Sequence, residues 1–413
     1  MRLTALLLLS ATPSLAATPE EVTTHYADMA LATYQDSLTT AQALKSAVDA
    51  LIASPSDATL QAARDAWKAA RVPYQQSEAF RFGNPIVDDW EGRVNSWPLD
   101  EGLIDYVSAD YGNEENALAT LNVIATPKFT LSGAQIDATA ITPDLISGTL
   151  HEADGIEANV ASGYHAIEFM LWGQDLTGTN PGAGNRPFTD FAAGDACTNG
   201  NCDRRAAYLQ AATGLLVSDL EEMVGNWDAA GPARAAVTAD PQAGLLAILT
   251  GMGSLSYGEL AGERIKLGLM LNDPEEEHDC FSDNTHNSHF YDGLGIRNVY
   301  LGTYTRTDGS TLGGPSVSDL VAAANPAVDT QLKAELDASV AALKAMKDAG
   351  DAGQTFDTLI APGNAEGEAI IMAAVTALVT QTASIDRAVT ALGLSKVEFE
   401  GSDSLDSPGA VFQ

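Results

Sequence analysis

The chain has 413 residues, with 56 acidic and 21 basic side chains and a formal net charge of −35. A surface this acidic repels nucleic acid and anionic lipid head groups, which excludes nucleic-acid binding as a function. The same self-repulsion favours a soluble monomer.

The first 16 residues have the composition of a secretory signal peptide. Arg2 supplies a positive start, residues 3–9 are mostly apolar, and Ser14-Leu15-Ala16 is a small-x-small cleavage site. The apolar run is shorter than the roughly 20 residues that span a bilayer, and we expect no membrane-spanning segment later in the chain. The protein is therefore expected to be exported, to the periplasm or the outer cell envelope.

Helical periodicity dominates the rest of the chain. Amphipathic helices are predicted at 20–53, 57–82, 154–172, 203–227, 240–271, 326–349 and 363–393. Loops rich in Gly, Pro or polar residues are predicted at 83–115, 174–203 and 272–292. No segment shows sustained strand-like alternation between hairpin turns, so the expected fold class is all-α.

Long helices separated by turns indicate two helical-bundle domains packed together. We place the first at 17–180 and the second at 181–400, with 401–413 as a frayed tail. Segments 38–73 and 328–360 resemble each other, which has two explanations: an internal duplication, or the chance likeness of alanine-rich helices.

Three cysteines are compatible with export. Cys197 and Cys202 flank an Asn-Gly turn and are able to close a small disulfide loop, which leaves Cys280 over. Cys280 pairing with either of the other two is the alternative, and the sequence does not decide between them.

The most informative segment runs from Gly163 to Gly173. Its helix places His165 and Glu168 on one face, and apolar residues cover the other faces, so the pair is expected to be buried. A buried carboxylate needs a metal, another cation or a hydrogen-bond network. Histidine and glutamate at i, i+3 are also the ligands of metal sites in helical bundles.

Two more predicted helices bring charge into apolar surroundings. One stripe is Trp67, Arg71, Tyr74 and Glu78. The other is Tyr257, Glu259, Glu263 and Arg264. They either face an interior site or form an Arg–Glu network that locks two bundles together.

The segment 275–289 holds many oxygen and nitrogen donors in a predicted loop. His286 and His289 are spaced to bind a metal, and Ser282 and Asp283 resemble helix caps ahead of His286. Surface histidines beside acids are the alternative interpretation.

Motifs of known enzymes are missing from the sequence. It has no His-Glu-x-x-His, and the inverted form would need a histidine where Phe169 stands. A zinc peptidase needs two helix-borne histidines and a third ligand, and this helix supplies one histidine. The pattern therefore weighs against proteolysis.

The motif Gly163-x-His165-x-x-Glu168 followed by Phe-Met-Leu-Trp-Gly resembles the signature of the imelysin-like family. The resemblance extends to Trp67-x-x-x-Arg71 with Glu78, to Glu259-Leu-Ala-Gly-Glu-Arg264 and to Cys280-Phe-Ser-Asp-Asn-Thr-His286. These are bacterial envelope proteins that include iron-regulated proteins and an insulin-cleaving peptidase. The resemblance implies two helical bundles and a metal site between them at the His-x-x-Glu pair, without identifying the metal. A related helical domain of a bacterial iron-uptake system is thought to hold iron at the same pair.

We therefore expect an exported metal-binding protein of iron acquisition rather than an enzyme, with envelope iron-transport proteins as partners. His165 and Glu168 would bind iron, or else zinc or copper, and further oxygens would come from Glu78 and from Glu101, Glu259 or Glu263. Arg71 and Arg264 would orient the carboxylates, with Trp67, Tyr74 and Tyr257 around them. The alternatives are a zinc-type peptidase and a non-metal module that binds a peptide or small ligand.

Overall fold

A computed structural model describes residues 17–109, 111 and 116–412. The predicted signal peptide lies outside these residues. Helices form most of the described chain, and the all-α prediction is confirmed. The α-helices are α1 Pro19–Ala53, α2 Asp57–Ser77, α3 Pro85–Asn95, α4 Pro143–Leu145, α5 Gly163–Trp172, α6 Cys202–Trp227, α7 Pro232–Thr238, α8 Pro241–Ser254, α9 Leu267–Leu271, α10 Thr285–Leu301, α11 Val317–Ala324, α12 Pro326–Asp351, α13 Phe356–Leu359, α14 Ala365–Ala391 and α15 Asp403–Asp406.

Two short hairpins, two π-helical segments and seven short 3₁₀-helices complete the regular structure of the described residues. The 3₁₀-helices are Glu78–Phe80, Glu101–Leu103, Ala153–Gly155, Phe188–Phe191, Gly194–Ala196, Pro274–Glu276 and Cys280–Ser282. Strands β1 (Lys128–Leu131) and β2 (Ala134–Asp137) pair antiparallel, as do β3 (Thr303–Thr305) and β4 (Thr311–Gly313). A π-helix, Leu255–Lys266, joins α8 to α9, and a shorter one, Ile146–Leu150, follows α4. The hairpins are too small to make a β-domain.

Local capping signals account for where the long helices begin. Thr18 and Glu21 form a capping box at the start of α1, and Ser56 and Thr59 form another at the start of α2. Asn325 caps α12 through two backbone N–H groups. The predicted helices at 20–53, 203–227 and 326–349 agree with the structure to within two residues at each end.

The helix predicted at 154–172 was wrong in its first half, because α5 begins at Gly163. The backbone is left-handed at Glu152, Asp154 and Gly155, and this conformation cannot continue a right-handed helix. The segment 154–162 is therefore a turn and an extended approach to the helix.

Two predicted loops contain helices. Segment 83–115 includes α3, whose Pro85 occupies the first turn and whose buried stripe is Val87, Trp90 and Val94. Segment 272–292 includes the first half of α10, where Ser288, His289 and Asp292 are buried. In α10 the inward face is polar, so a search for apolar periodicity does not find it.

The helices pack around a core that draws apolar side chains from both halves of the chain. α1 packs against α2 and α6, α12 packs against α14, and α10 lies against both α2 and α12. The domain boundary near residue 180 and the internal duplication remain predictions.

One helix corrects the expectation that no later segment is able to span a membrane. α14 has the length and the apolar composition for a span, with a mean hydropathy of 1.5 in its best window. Its side chains include core residues such as Ile371, Leu378 and Ile385. The buried Gln381 also bonds to Ser339 of α12, so this helix is a packed element of the helical core.

Part of the predicted tail packs on the molecule instead of fraying. Ser402 and Ser404 are buried, and the Ser404 hydroxyl donates to the Gly262 carbonyl of the long π-helix. α15 follows at 403–406. A disulfide joins Cys197 to Cys202, and Cys280 is free and buried, which decides between the two cysteine alternatives.

Candidate functional site

Helix α5 is completely buried, and its start depends on a glycine. Gly163 has a φ of +81°, and a Cβ there would lie 2.4 Å from the Val94 carbonyl oxygen of α3. Only glycine allows α5 to approach α3 this closely. At the other end, Gly173 has a φ of +72° and ends the helix.

His165 and Glu168 lie inside the protein, as expected, with both side chains 0% exposed. His165 Nδ1 lies 3.2 Å from Glu168 Oε2. The other carboxylate oxygen, Oε1, accepts two hydrogen bonds from Ser282, one from its N–H at 3.0 Å and one from its hydroxyl at 2.6 Å. The pair on α5 is therefore held by the turn at 280–282.

Two residues of the same turn region complete a cluster of possible ligands. The His278 ring centroid lies 4.7 Å from that of His165, and Asp279 Oδ1 lies 3.9 Å from His165 Nδ1. One ligand atom from each of His165, His278 and Asp279 lies within 4.8 Å of the other two. His165 Nε2 and His278 Nδ1 are buried without hydrogen-bond partners. Two imidazoles and a carboxylate form a donor set that non-haem iron(II) sites use.

Arg71 forms an ion pair with Asp279 and balances its negative charge. Its Nη2 lies 2.8 Å from Asp279 Oδ1, and its Nη1 donates to Asn95 Oδ1 at 2.6 Å. The guanidinium also lies near the rings of Trp67, Tyr74 and Tyr164, at 5.5, 5.6 and 5.0 Å from their centroids. Arg71, with Trp67 and Tyr74 of the first predicted stripe around it, therefore faces the interior site.

Burial and neighbouring charges set the protonation of the cluster. Burial, reinforced by Arg71, lowers the pKa of His165 well below its ordinary value, and burial does the same to the pKa of His278. Burial and the nearby Asp279 raise the pKa of Glu168 well above its ordinary value. Burial works against ionised Asp279, but Arg71 and the hydrogen bonds from Ser288 and Asn284 act together to outweigh it and hold the pKa at about 2. The imidazoles are therefore neutral at pH 7, which is the form that binds metals.

The second predicted stripe forms a network of its own, centred on Arg264. Arg264 Nη2 lies 2.7 Å from both Glu78 and Glu259, and its Nη1 lies 3.1 Å from Asp292. Arg81 adds a second cation, 3.5 Å from Glu259. Glu78 and Glu259 are thus engaged by arginines, as the Arg–Glu alternative predicts.

The other predicted residues near these stripes lie elsewhere. Glu101 is buried, and its Oε1 lies 3.4 Å from Gln174 Nε2. Glu263 is exposed on the rim of a cleft. The Tyr257 hydroxyl donates to Asp406 at 2.7 Å, so this tyrosine contacts the C-terminal segment and not the histidine cluster.

The loop cluster divides into separate surroundings. His286 Nε2 lies 3.4 Å from Asp351 of α12, whereas His289 is buried against Phe356, with ring centroids 5.2 Å apart. The His289 ring is also parallel to that of His278, at 6.5 Å. His286 and His289 therefore face different neighbours, and Asp283 belongs to a third group described below.

An acidic cleft of about 460 Å³ lies next to the cluster. Trp97 and His278 line it, and the His165 ring lies directly behind both, 5.2 Å from Trp97 between centroids. Most of the other lining side chains are acidic: Asp88, Asp89, Glu91, Glu152, Glu157, Glu259, Glu263 and Glu276. This charge attracts cations toward the histidines.

The sequence did not indicate that His278, Asp279 or Ser282 lies at the His165–Glu168 pair, and Ser282 was expected only as a helix cap. All three stand in the segment 275–289, which drew attention as a polar loop. No periodicity in that segment shows that its side chains turn inward onto α5. One signal was available: the apolar residues Cys280 and Phe281 stand within the polar run, which indicates that part of this segment is buried.

Comparison with known proteins places the chain in a family. The family model for imelysin, peptidase family M75, matches residues 30–385. Iron-regulated protein A of Synechococcus elongatus is 38% identical over 61 residues, a match that spans 14% of this chain and 17% of that protein.

Two solved structures share the fold. An iron-regulated protein A precursor from Parabacteroides distasonis superposes with a TM-score of 0.66 at 22% identity, over 93% of this chain and 98% of the other. An imelysin-like protein from Psychrobacter arcticum gives a TM-score of 0.58 at 16% identity, over 93% and 99%. At these identities the superpositions speak for the fold alone. Since the family model covers most of the sequence, the chain belongs to the imelysin family.

Proposed function

We propose that this protein is exported and binds a metal ion, iron, at the cluster of His165, Glu168, His278 and Asp279, as part of iron acquisition. The observation that carries the proposal is the pair of buried imidazole nitrogens without partners, His165 Nε2 and His278 Nδ1. A buried donor or acceptor without a partner is costly, and a metal ion would satisfy both rings at once.

The remaining groups suit the same role. Glu168 and Asp279 supply oxygens, and the mixed N and O donor set favours iron, zinc or copper over calcium. Ser282 and Arg71 hold the two carboxylates in place, as outer groups do in metal sites. The acidic cleft beside Trp97 offers a cation an approach to the rings.

Iron enters the proposal through the relatives. The Synechococcus protein carries the name iron-regulated protein A. Export is supported by the composition of residues 1–16 and by the Cys197–Cys202 disulfide, because disulfides persist in oxidising compartments. Envelope iron-transport proteins are the partners that follow from this role.

The non-metal module is the second candidate, and one observation favours it. Arg71 already pairs with Asp279 at 2.8 Å, so part of the buried charge is balanced without a metal. In that case the cluster would be a structural network, and removing one member would lower stability without any effect of added metal.

Elemental analysis of protein purified from its native compartment separates the two. We expect about one iron per chain in the wild type and loss of it in His165→Ala and in His278→Ala. His25→Ala is the matched control, because His25 is also buried but bonds to the Gly302 carbonyl away from the cluster. Equal metal content in all four proteins, or none in the wild type after loading with iron(II), would overturn the proposal.

A further inference from the structure

A second group of carboxylates lies apart from the histidines. One oxygen each from Asp175, Asp283 and Asp357 lies within 4.8 Å of the other two. The three residues come from distant segments: the loop after α5, the turn before α10 and the first turn of α13. Glu277 faces the same group, since it interacts with all three carboxylates.

These carboxylates are buried and poorly satisfied. Asp357 is 0% exposed, and neither of its oxygens accepts a hydrogen bond of good geometry. The same holds for both oxygens of the fully buried Glu277 and for Oδ1 of Asp283. Within the described residues, none of the four carboxylates belongs to an ion pair. The buried arginines Arg71 and Arg264 are paired with carboxylates outside this group.

Burial and crowding raise the pKa values of these carboxylates. Burial and the charge of Asp357 raise the pKa of Asp283 to about 7, and burial raises the pKa of Asp357. Carboxylates that crowd together repel one another, and a cation relieves both the repulsion and the missing bonds.

We infer that Asp175, Asp283, Asp357 and Glu277 bind a calcium ion at a site separate from the histidine cluster. All the donors are oxygens, which hard cations prefer and which distinguish this site from a site with imidazoles. Calcium tolerates the irregular arrangement that three separate loops provide, whereas magnesium demands a nearly ideal octahedron.

The surroundings leave a place and a path for the ion. Asp175 uses Oδ1 to accept from the N–H and hydroxyl of Thr177, at 2.8 and 2.9 Å, which leaves its Oδ2 for a ligand. Asp175 is partly exposed and lines a small cleft of about 160 Å³ with Glu101 and Glu275, so a cation is able to enter from the surface.

Calcium at this position would join the chain segments that hold the histidine cluster in place. Asp283 directly follows Ser282, whose N–H and hydroxyl both bond to Glu168. The ion would therefore hold the 277–283 turn against α5 and α13. The calcium site itself does not depend on the proposed iron function.

The test is isothermal titration of chelator-treated mature protein with CaCl₂, in about 0.15 M NaCl to screen diffuse binding to the acidic surface. We expect one saturable site per chain, and a rise in Tm of about 3–5 °C at a hundredfold excess over Kd. Magnesium should bind at least tenfold more weakly. Absence of a saturable calcium site in the wild type would refute the inference.

Variants locate the site. Asp357→Asn and Asp283→Asn should each weaken calcium binding at least tenfold, and their Tm without calcium should equal or exceed that of the wild type because repulsion is relieved. His165→Ala should bind calcium like the wild type, as should Asp144→Asn, a matched exposed acid. Wild-type calcium affinity in both Asp357→Asn and Asp283→Asn would contradict the assignment, and so would loss of calcium binding in Asp144→Asn.

Discussion

Single buried charges in this protein depend on a few specific partners, and Asp105 is the plainest case. Its Oδ2 lies 2.6 Å from both Arg186 and Arg205, and all three side chains are almost completely buried. The arginines outweigh the effect of burial and lower the pKa of Asp105. The aspartate therefore stays ionised and neutralises charge that has no access to water.

Asp105→Asn should lower the free energy of unfolding by about 3–5 kcal/mol, because it leaves the buried Arg205 without its ion-pair partner and Arg186 with Asp190 alone. Urea denaturation measures the loss. Asp65→Asn, an exposed aspartate on α2, should change stability by less than about 0.5 kcal/mol. Similar losses of unfolding free energy in the two variants would show that the buried ion pairs contribute no more to stability than an exposed aspartate.

Glu168 is expected to contribute to metal affinity through its contact with His165. Glu168→Gln keeps the size of the side chain and an oxygen for Ser282, but it removes the carboxyl group that would bind the metal as an anion beside His165. We expect metal affinity to fall about 10–100-fold while the protein remains folded. Competition titration with a chromogenic chelator gives the affinity, and circular dichroism checks the fold. An unchanged affinity would remove Glu168 from the site.

Burial of His165 and Glu168 was predictable from their own helix, because every face of α5 except theirs is apolar. Their partners were not predictable in this way. His278 and Asp279 reach the site through a turn with no periodicity, and only the tertiary fold brings them to α5. Glu78 is buried, whereas Glu259 is partly exposed and lines the cleft. The pairing of both with Arg264 depends on how the segment after α2, α10 and the π-helix meet.

Elements meet closely in this fold where glycine removes the side chain. The long helices were predicted well because capping boxes and apolar stripes are local signals. α3 and the first half of α10 were missed, since a Gly- and Trp-containing stretch and an inward polar face do not resemble amphipathic helices. The contact between α3 and α5 at Gly163 decides whether His165 faces Trp97 and the cleft.

Gly163→Ala should cost at least about 2 kcal/mol, because alanine is strained at a φ of +81° and its Cβ would overlap the Val94 carbonyl. Metal affinity should fall with it. Gly214→Ala is the matched control within α6, where a Cβ meets nothing within 4 Å and helix propensity favours alanine by about 1 kcal/mol. Equilibrium unfolding should therefore show opposite signs for the two variants, and equal signs would contradict the packing described for α5.

At the scale of the whole molecule, a net charge of −35 and many buried carboxylates make stability depend on pH. Burial raises the pKa of Glu91 to about 7, and burial with Asp357 does the same for Asp283. Such a group binds a proton in the folded protein at a pH where the unfolded chain does not. Stability therefore rises as pH falls toward the raised pKa.

Metal-free protein should become more stable by at least about 1 kcal/mol as the pH falls from 8 to 7, because carboxylates with raised pKa values, which include the fully buried Glu168 and Glu277, take up protons in the folded state. The buried histidines oppose this gain from about pH 7.5 downward. Burial lowers the pKa of His151, His165, His278, His286 and His289, so the unfolded chain, whose histidines titrate near about pH 6.5, takes up protons that the folded protein does not. Urea unfolding across this range provides the curve. A steady loss of stability from pH 8 to pH 7 would show that the buried carboxylates are compensated.

The position of bound iron shows whether the cluster around His165 is a metal site. Anomalous diffraction at the iron absorption edge, from crystals of protein loaded with iron(II), locates the metal without assumptions about its ligands. We expect a single strong peak within about 2.5 Å of a ring nitrogen of His165, between His278 and Asp279. A peak elsewhere on the acidic surface, or no peak in fully loaded crystals, would contradict it.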